Sequence, residues 1–378
     1  MSTLLPILPP TPVENEGMTP AALRAEEEKN AMRRYFEKPD EALLPIARQE
    51  PVCLYLETTN RCNLLCVTCP RTYEQLEPEA DMPWSLFTSL IDQYPGIARV
   101  VLHGIGEPML VKDLAQRVAY LKARNIYTLF NTNGTLLTEA NGRALIDAGL
   151  DELRVSLDAA DSAVYQMVRG KDFFAKIVEN VTRFTRLQRE LNAPKPRVSL
   201  WLTGLRETVD QLPNFVRLAH EVGVPEVYLQ RLVFFEEPAN EASLARAESA
   251  LFEHTTAREE ALIHAAEVVA QELGVTFSAS GAVDPGESLR MQRTDNPNPW
   301  TLCRRPWSLM YITANGRVLP CCIAPFSMKG YGSFTLGDAT QSSLREIWNG
   351  PEYQRFRAGL LTSAPPPACA NCGLRWSL

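Results

Sequence analysis

The chain has 378 residues, a formal net charge of −7, 45% hydrophobic and 22% charged residues, ordinary values for a folded globular protein. The acidic balance argues against a general nucleic-acid binder, and strand-sized apolar runs such as Val100–Val101–Leu102 predict no membrane-spanning segment. The start Met1-Ser-Thr-Leu-Leu-Pro lacks the basic and apolar regions of a signal peptide, so a cytoplasmic location is expected.

Residues 1–20 hold five prolines and no apolar period, which predicts a flexible or extended arm. Residues 21–37 are rich in helix formers and predict one polar helix. From residue 51 an alternation begins. Residues 52–59, 97–104, 126–132, 152–158, 197–203 and 226–233 read as short strands. Helical patterns lie between them: Leu114, Val118 and Leu121 share a face, as do Phe174, Ile177, Val178, Val181 and Phe184, and Phe215, Leu218, Ala219 and Val222. Gly149 and Gly223 stand where such helices should stop. Six strands alternating with helices predict an α/β fold with a parallel sheet, and on pattern alone an open doubly wound sheet and a partial barrel are equal. Residues 241–273 read as an alanine-rich helix with Leu262, Ala265, Ala266, Val269 and Leu273 in phase, followed by a short strand, VTFSAS. Residues 281–300 read as a linker. The expected organisation is an N-terminal arm and helix (1–50), a barrel (51–235), a helical extension with linker (236–300) and a C-terminal module (301–378).

Nine cysteines fall at 53, 62, 66, 69, 303, 321, 322, 369 and 372. An odd number in two distant groups argues for metal or redox chemistry, not a disulfide framework. Cys62, Cys66 and Cys69 stand in a loop leaving the first strand. Three thiolates cap three corners of a four-iron, four-sulfur cube and leave one iron open to a substrate or cofactor. Zinc competes for such cysteines, but a structural zinc site wants a fourth ligand, and no histidine is near in sequence.

The CxxxCxxC spacing resembles the signature of the radical S-adenosylmethionine (SAM) superfamily, and residues 51–233 continue the likeness. That resemblance implies a partial (β/α)6 barrel. His103-Gly104-Ile105-Gly106-Glu107-Pro108 resembles the family's glycine–glutamate motif, whose backbone binds the methionine amino group. Glycine there lets the backbone approach a ligand closely. Asn131-Thr-Asn133-Gly134, the strand end Ser156-Leu157-Asp158 and Val168-Arg169-Gly170 resemble blocks that family members place around SAM. By that resemblance Ser156 bonds the ribose or carboxylate and Arg169 pairs with the methionine carboxylate, a role suited to its two parallel donors. Asp158 reads equally as the cap of the next helix. Thr68 departs from the family, which often has an aromatic residue before the third cysteine. His103 reads first as a core or turn histidine.

In the C-terminal module, Asn315-Gly316 between two alternating runs signals a hairpin, with Cys303 and Cys321 near one end. A helix, three prolines and Cys369-Ala-Asn-Cys372 follow. Cys303, Cys321, Cys369 and Cys372 suffice for a second cube with every iron capped, and a four-cysteine zinc ribbon has similar spacing. Cys53 reads as a core residue, and Cys322 should face away from Cys321 on a regular strand. This module resembles the SPASM family of cluster domains in its shortened Twitch form, of the 2-deoxy-scyllo-inosamine dehydrogenase type. The two resemblances imply two [4Fe–4S] clusters, SAM and an external electron donor such as flavodoxin or ferredoxin. They imply an enzyme that cleaves SAM reductively to a 5′-deoxyadenosyl radical and abstracts a substrate hydrogen atom.

The leading expectation is oxidation of a small molecule, with the second cluster as electron acceptor, by a radical SAM oxidoreductase. Peptide or protein modification, as by peptide-natural-product or sulfatase maturases, is the alternative, and a non-catalytic iron–sulfur or zinc module stands as a third reading. A proton acceptor is expected on loops at the strand ends, where Arg231, Glu236, Glu237, Arg304 and Arg305 are candidates by position.

Overall fold

The computed structural model describes residues 43–74, 76–233, 242–252, 254–280, 285–289, 296–326, 332–370 and 372. The predicted helix at 21–37, Glu236 and Glu237 lie outside the described residues.

The six predicted strands form, each shorter than or close to its run: β1 Cys53–Leu56, β2 Arg99–Val101, β3 Tyr127–Thr132, β4 Glu152–Ser156, β5 Arg197–Gly204 and β6 Glu226–Arg231. β7 (Thr276–Ala279), β8 (Leu309–Ile312), β9 (Arg317–Leu319) and β10 (Gly337–Asp338) complete one sheet in the order β10-β9-β8-β1-β2-β3-β4-β5-β6-β7. From β1 to β7 each strand pairs in parallel with the next in sequence. An unbroken order with one crossover sense keeps the helices on one face. This excludes a doubly wound sheet, which reverses at a switch point. The β/α fold expected from the resemblance is the observed one.

The helices follow the apolar stripes. They are α1 Trp84–Asp92, α2 Leu114–Lys122, α3 Glu139–Asp147, α4 Ser162–Arg169, α5 Phe174–Glu190, α6 Leu212–Glu221 and α7 Ala257–Leu273. Leu114, Val118 and Leu121 are buried on α2, and Ile177, Val181 and Phe184 on α5. α3 and α6 end just before Gly149 and Gly223, both at positive φ. Two details differ from expectation. The long helix starts at Ala257, not 241, because Thr256 and Glu259 close a reciprocal capping box that stops it. Of the five residues read in phase, Ala266 and Val269 are buried and Leu262 and Leu273 pack against the core, while Ala265 is exposed and Ile263 and Ala270 complete the buried stripe.

β8 pairs in parallel with β1, Cys53 opposite Leu309 and Leu56 opposite Ile312, and antiparallel with β9. The predicted hairpin thus extends the barrel sheet from its first strand. Cys53 is fully buried among Val101, Leu129 and Leu309, a core residue as expected. Two further helices follow, α8 Leu344–Trp348 and α9 Pro351–Leu360.

Residues 44–49 lie as a strap on this C-terminal region. Leu44 O accepts from Trp307 Nε1 at 2.7 Å, Ala47 exchanges two hydrogen bonds with the Asn349 side chain, and Gln49 O accepts from Trp348 Nε1 at 2.8 Å. The buried Arg357 guanidinium locks the strap. It donates to Pro306 O, Trp348 O, Asn349 Oδ1 and Pro45 O, between the rings of Trp348 and Tyr353. Arg357→Met takes the side-chain donor from Pro306 O, Trp348 O and Pro45 O and should destabilise the protein by about 2–4 kcal/mol. Urea unfolding tests it; a loss below about 0.5 kcal/mol, the range of a neutral surface change, would show the clamp to be idle.

Candidate functional site

The carboxyl ends of the strands open into a cavity of about 400 Å³. Its wall gathers Cys62, Cys66 and Cys69 from the loop after β1, Gly104–Glu107 after β2, Asn131 and Asn133 at the end of β3, Ser156 and Asp158 at the end of β4, and Arg169 at the end of α4. Residues that the sequence spreads over more than one hundred positions therefore share one surface. Consecutive parallel strands place every such loop at one end.

Backbone contacts set the cysteine loop. Arg71 donates to Cys62 O at 3.2 Å and Leu64 O at 2.7 Å, Thr72 Oγ1 donates to Cys66 O at 2.8 Å, and Val67 N donates to Val168 O at 2.9 Å. Asn133 Nδ2 bonds Asn63 Oδ1 at 2.8 Å and lies 4.0 Å from Cys62 Sγ. Burial raises the Cys62 thiol above its usual range and pushes Cys69 up to about 12, with neighbouring cysteines adding to both shifts. Packed thiols resist ionising together until a cation arrives, which is the behaviour of a ligand set whose metal supplies the charge.

Glu107 is buried, and its carboxylate accepts from Met109 N at 3.0 Å, Thr132 Oγ1 at 2.8 Å and Asn133 N at 2.7 Å. Burial raises its pKa against those three hydrogen bonds. Its backbone N–H donates to Arg61 O at 2.8 Å. The carboxylate thus ties its own loop to the end of β3, the backbone N–H ties it to the cysteine loop, and the backbone of Gly104–Gly106 lines the cavity. A Cβ built on Gly106 would stand 2.1 Å from Thr59 O and 2.8 Å from Arg61 O.

Arg169 pairs with Asp158 at 2.5 Å, and its Nη1 lies 3.6 Å from Cys66 Sγ. Burial opposes the charge, but Asp158 and Cys66 outweigh it and hold the guanidinium firmly protonated. Asp158 is not a helix cap: its Oδ1 accepts from Thr203 N at 2.7 Å, and Asp161 caps α4 through Val164 N. The chain needs three more residues past β4 to turn into the helix, which moves the cap. Among the described residues, two buried polar atoms in this wall have no hydrogen-bond partner, Arg169 Nε and Asn131 Oδ1. A bound polar molecule can pair with both, so the residues present fit SAM as well as a cluster.

His103 belongs to the cavity wall, not to the core. Its Nδ1 accepts from Asn131 N at 3.1 Å, which leaves the proton on Nε2. Burial, with Arg154 and Arg99 nearby, lowers its pKa to about 3, so the ring stays neutral. The sequence reading also missed Tyr55, Arg71, Arg154, Trp201, Thr203, Tyr228 and Gln230, all in the wall. Trp201 stacks on Tyr228 at 4.0 Å beneath the Arg154 guanidinium. Period-two alternation on β5 and β6 was the available signal, since these residues share the inward face.

The second cysteine group converges on the same mouth. Cys303, Cys321, Cys322 and Cys372 surround Arg305, and Cys369 is raised by burial and by Cys321, Cys303 and Cys372. β9 ends at Leu319, so Cys321 and Cys322 occupy a turn and do not alternate across a strand. Cys322 and Arg305 line the cavity. Among the described residues no three His, Cys, Asp or Glu side chains converge as ligands of a single ion. A cube does not ask for that convergence, because each thiolate takes its own iron. Of the candidate proton acceptors, Arg231 donates to Ser288 O and stacks 4.0 Å from Phe252. A guanidinium so engaged is a fixed cation and not a proton acceptor. Arg304 is outside the wall, where Arg305 stands.

Residues 56–219 match the radical SAM superfamily, and residues 303–373 match SPASM, an iron–sulfur cluster-binding domain. The chain carries both domains, and with them a [4Fe–4S] cluster, SAM and auxiliary iron–sulfur chemistry. It is 24% identical over 334 residues to the tungsten-containing aldehyde ferredoxin oxidoreductase cofactor-modifying protein of Pyrococcus furiosus, covering 85% of this chain and 87% of that one. It is 29% identical over 329 residues to the PqqA peptide cyclase of Gluconobacter oxydans, covering 85% and 82%. The crystal structure of Streptococcus suis SuiB bound to precursor peptide SuiA has the same fold, with a TM-score of 0.61 at 16% identity over 99% of this chain and 79% of that one. The expected likeness to the 2-deoxy-scyllo-inosamine dehydrogenase type is not supported by these relatives. Among the described residues no helix is long and apolar enough to cross a membrane.

Gly106→Ala should weaken SAM binding at least about tenfold, because a backbone shift at the loop costs about 1.4 kcal/mol or more, with iron content unchanged. Equilibrium dialysis with labelled SAM checks this, and wild-type affinity would remove the loop from the SAM site. Arg169→Ala should cost about 1.5–3 kcal/mol of SAM affinity, the worth of a charged hydrogen bond, in the same assay.

Proposed function

Starting from a chain with a radical SAM domain and a SPASM domain, we propose that it modifies a peptide or protein substrate by radical chemistry. The observation that carries this reading is the alignment to a PqqA peptide cyclase, which runs through both domains and spans 82% of that enzyme. The SuiB structure, bound to precursor peptide SuiA, supports the fold.

Cys62, Cys66 and Cys69 hold the first cluster in this reading, and Cys303, Cys321, Cys369 and Cys372 a second. With SAM bound, the first cluster supplies a radical able to take a hydrogen atom from an unactivated C–H bond. The protein's share is positioning. Glu107 fixes the loops around SAM, Arg169 and Asn131 offer it unsatisfied polar atoms, and neutral His103 offers a hydrogen-bond donor. Trp201, Tyr228 and Tyr55 line the wall with aromatic surface that excludes water. Arg305 and Cys322 place the second cysteine group at the cavity itself.

Reconstituted protein, SAM and a strong reductant, incubated with short peptides encoded beside the gene, should give a peptide of changed mass together with 5′-deoxyadenosine. Unmodified peptides alongside turnover of a small polyol would reverse the reading. Replacing Cys303, Cys321, Cys369 and Cys372 by Ala should leave 5′-deoxyadenosine formation intact and cut modified product sharply. Wild-type product yield per SAM cleaved would deny the second group an electron-accepting role. About eight irons per chain are expected before that change and about four after it, two cubes of four each.

A further inference from the structure

Glu57 follows β1 and is 1% exposed. Its Oε2 accepts from the Tyr311 hydroxyl at 2.7 Å and Ile105 N at 3.0 Å, and its Oε1 accepts from Ala314 N at 3.1 Å. Those donors belong to three separate segments: β8, the glycine loop and the hairpin turn. Glu57 N also donates to Ile312 O at 2.9 Å. Packing under the loop is tight, since a Cβ at Gly104 would stand 2.1 Å from Tyr311 Oη and 2.2 Å from Glu57 Oε2. Along the same run, Thr59 O backs Gly106, and Arg61 O receives Glu107 N, one residue before Cys62.

Among the described residues, no cation pairs with Glu57 directly. Tyr311 is a neutral donor, and the nearby Glu77 is acidic and is itself paired with Arg317 at 2.9 Å. A buried carboxylate without a direct cation is costly. Packing alone would be served by a neutral side chain. What a carboxylate adds is acceptor capacity on both oxygens, and glutamine cannot supply it, because its amide nitrogen would confront an N–H donor.

We propose that Glu57 is a positioning residue that couples the C-terminal hairpin to the glycine loop, so that seating of the hairpin sets the affinity for SAM. This rests on Gly104–Glu107 being the SAM-binding loop. Coupling of this kind is reciprocal: SAM must tighten the hairpin as much as the hairpin tightens SAM. Burial lifts the Glu57 pKa to about 7, against its three hydrogen bonds. The native value exceeds the unfolded one, so this group's contribution to folding stability falls as pH rises from about 4.5 to about 7. The ionised form that accepts all three donors fills over that range and above it.

The test uses the reconstituted full chain with iron content verified. Tyr311→Phe removes one hydroxyl on the hairpin, outside the cavity wall, and should weaken SAM binding about three- to tenfold. Glu57→Gln should weaken it at least as much, and the double variant no more than Glu57→Gln alone. The ratio of wild-type to Glu57→Gln affinity should grow between about pH 6 and about pH 8. SAM should slow hydrogen exchange at residues 309–319 in wild type and not in Glu57→Gln. Unchanged SAM affinity in both variants, with only a lower melting temperature, would overturn the coupling. If Glu57→Gln fails to fold, Tyr311→Phe decides alone. Unchanged affinity in Gly106→Ala would instead remove the SAM-loop reading itself.

Discussion

Everything at the mouth of this barrel hangs on one buried carboxylate. Glu107 takes donors from its own loop through Met109, and from the end of β3 through Thr132 and Asn133. Asn133 then reaches Asn63 between the first two cysteines. A carboxylate buried this deeply must find donors for both oxygens, so its neighbours have little freedom to move. The glycine loop and the β3 turn are therefore tied by the carboxylate, and the cysteine loop joins them through Asn133 and the Glu107 backbone. Arg71 completes the arrangement by holding two carbonyls of the cysteine loop from within.

The second constraint is topological. Because the strands pair in sequence order, every loop after a strand emerges at one end, and the sheet has a free edge at β1 until β8 covers it. An uncovered edge leaves backbone groups unpaired. Closing it with the C-terminal hairpin satisfies those groups and carries the second cysteine set to the mouth. The strap at 44–49 and Arg357 fasten the same region from the other side. The meeting of Cys322 and Arg305 with the first cysteine group in one cavity is a consequence of that edge pairing.

For the peptide modification proposed above, this geometry has a use. A polypeptide brings its own backbone donors and acceptors, and the wall offers a neutral histidine, a fixed arginine layer and stacked aromatic rings in place of a narrow polar slot. The Arg154 guanidinium over the Trp201 ring sets a positive charge beside the aromatic wall. Arg231, in the cavity wall, tethers the segment at Ser288 to the end of β6.

The sequence by itself determined the β/α alternation, the two cysteine groups and the glycine–glutamate loop. These are local: a strand's period, a ligand spacing or a close backbone approach is written in neighbouring residues. It also told that Cys53 is core and that Asn315-Gly316 turns a hairpin. It began α7 too early, put Ala265 on the buried face, and left open whether Asp158 caps α4, where two local options were nearly equal and packing chose between them. Glu57 drew no notice, because an acidic residue at a strand end carries no pattern. Its meaning comes from Tyr311 and Ala314, more than 250 positions away. Only the tertiary structure decided which edge the hairpin covers, and so which residues meet across the cavity, because pairing between distant segments depends on the assembled sheet and not on any spacing along the chain.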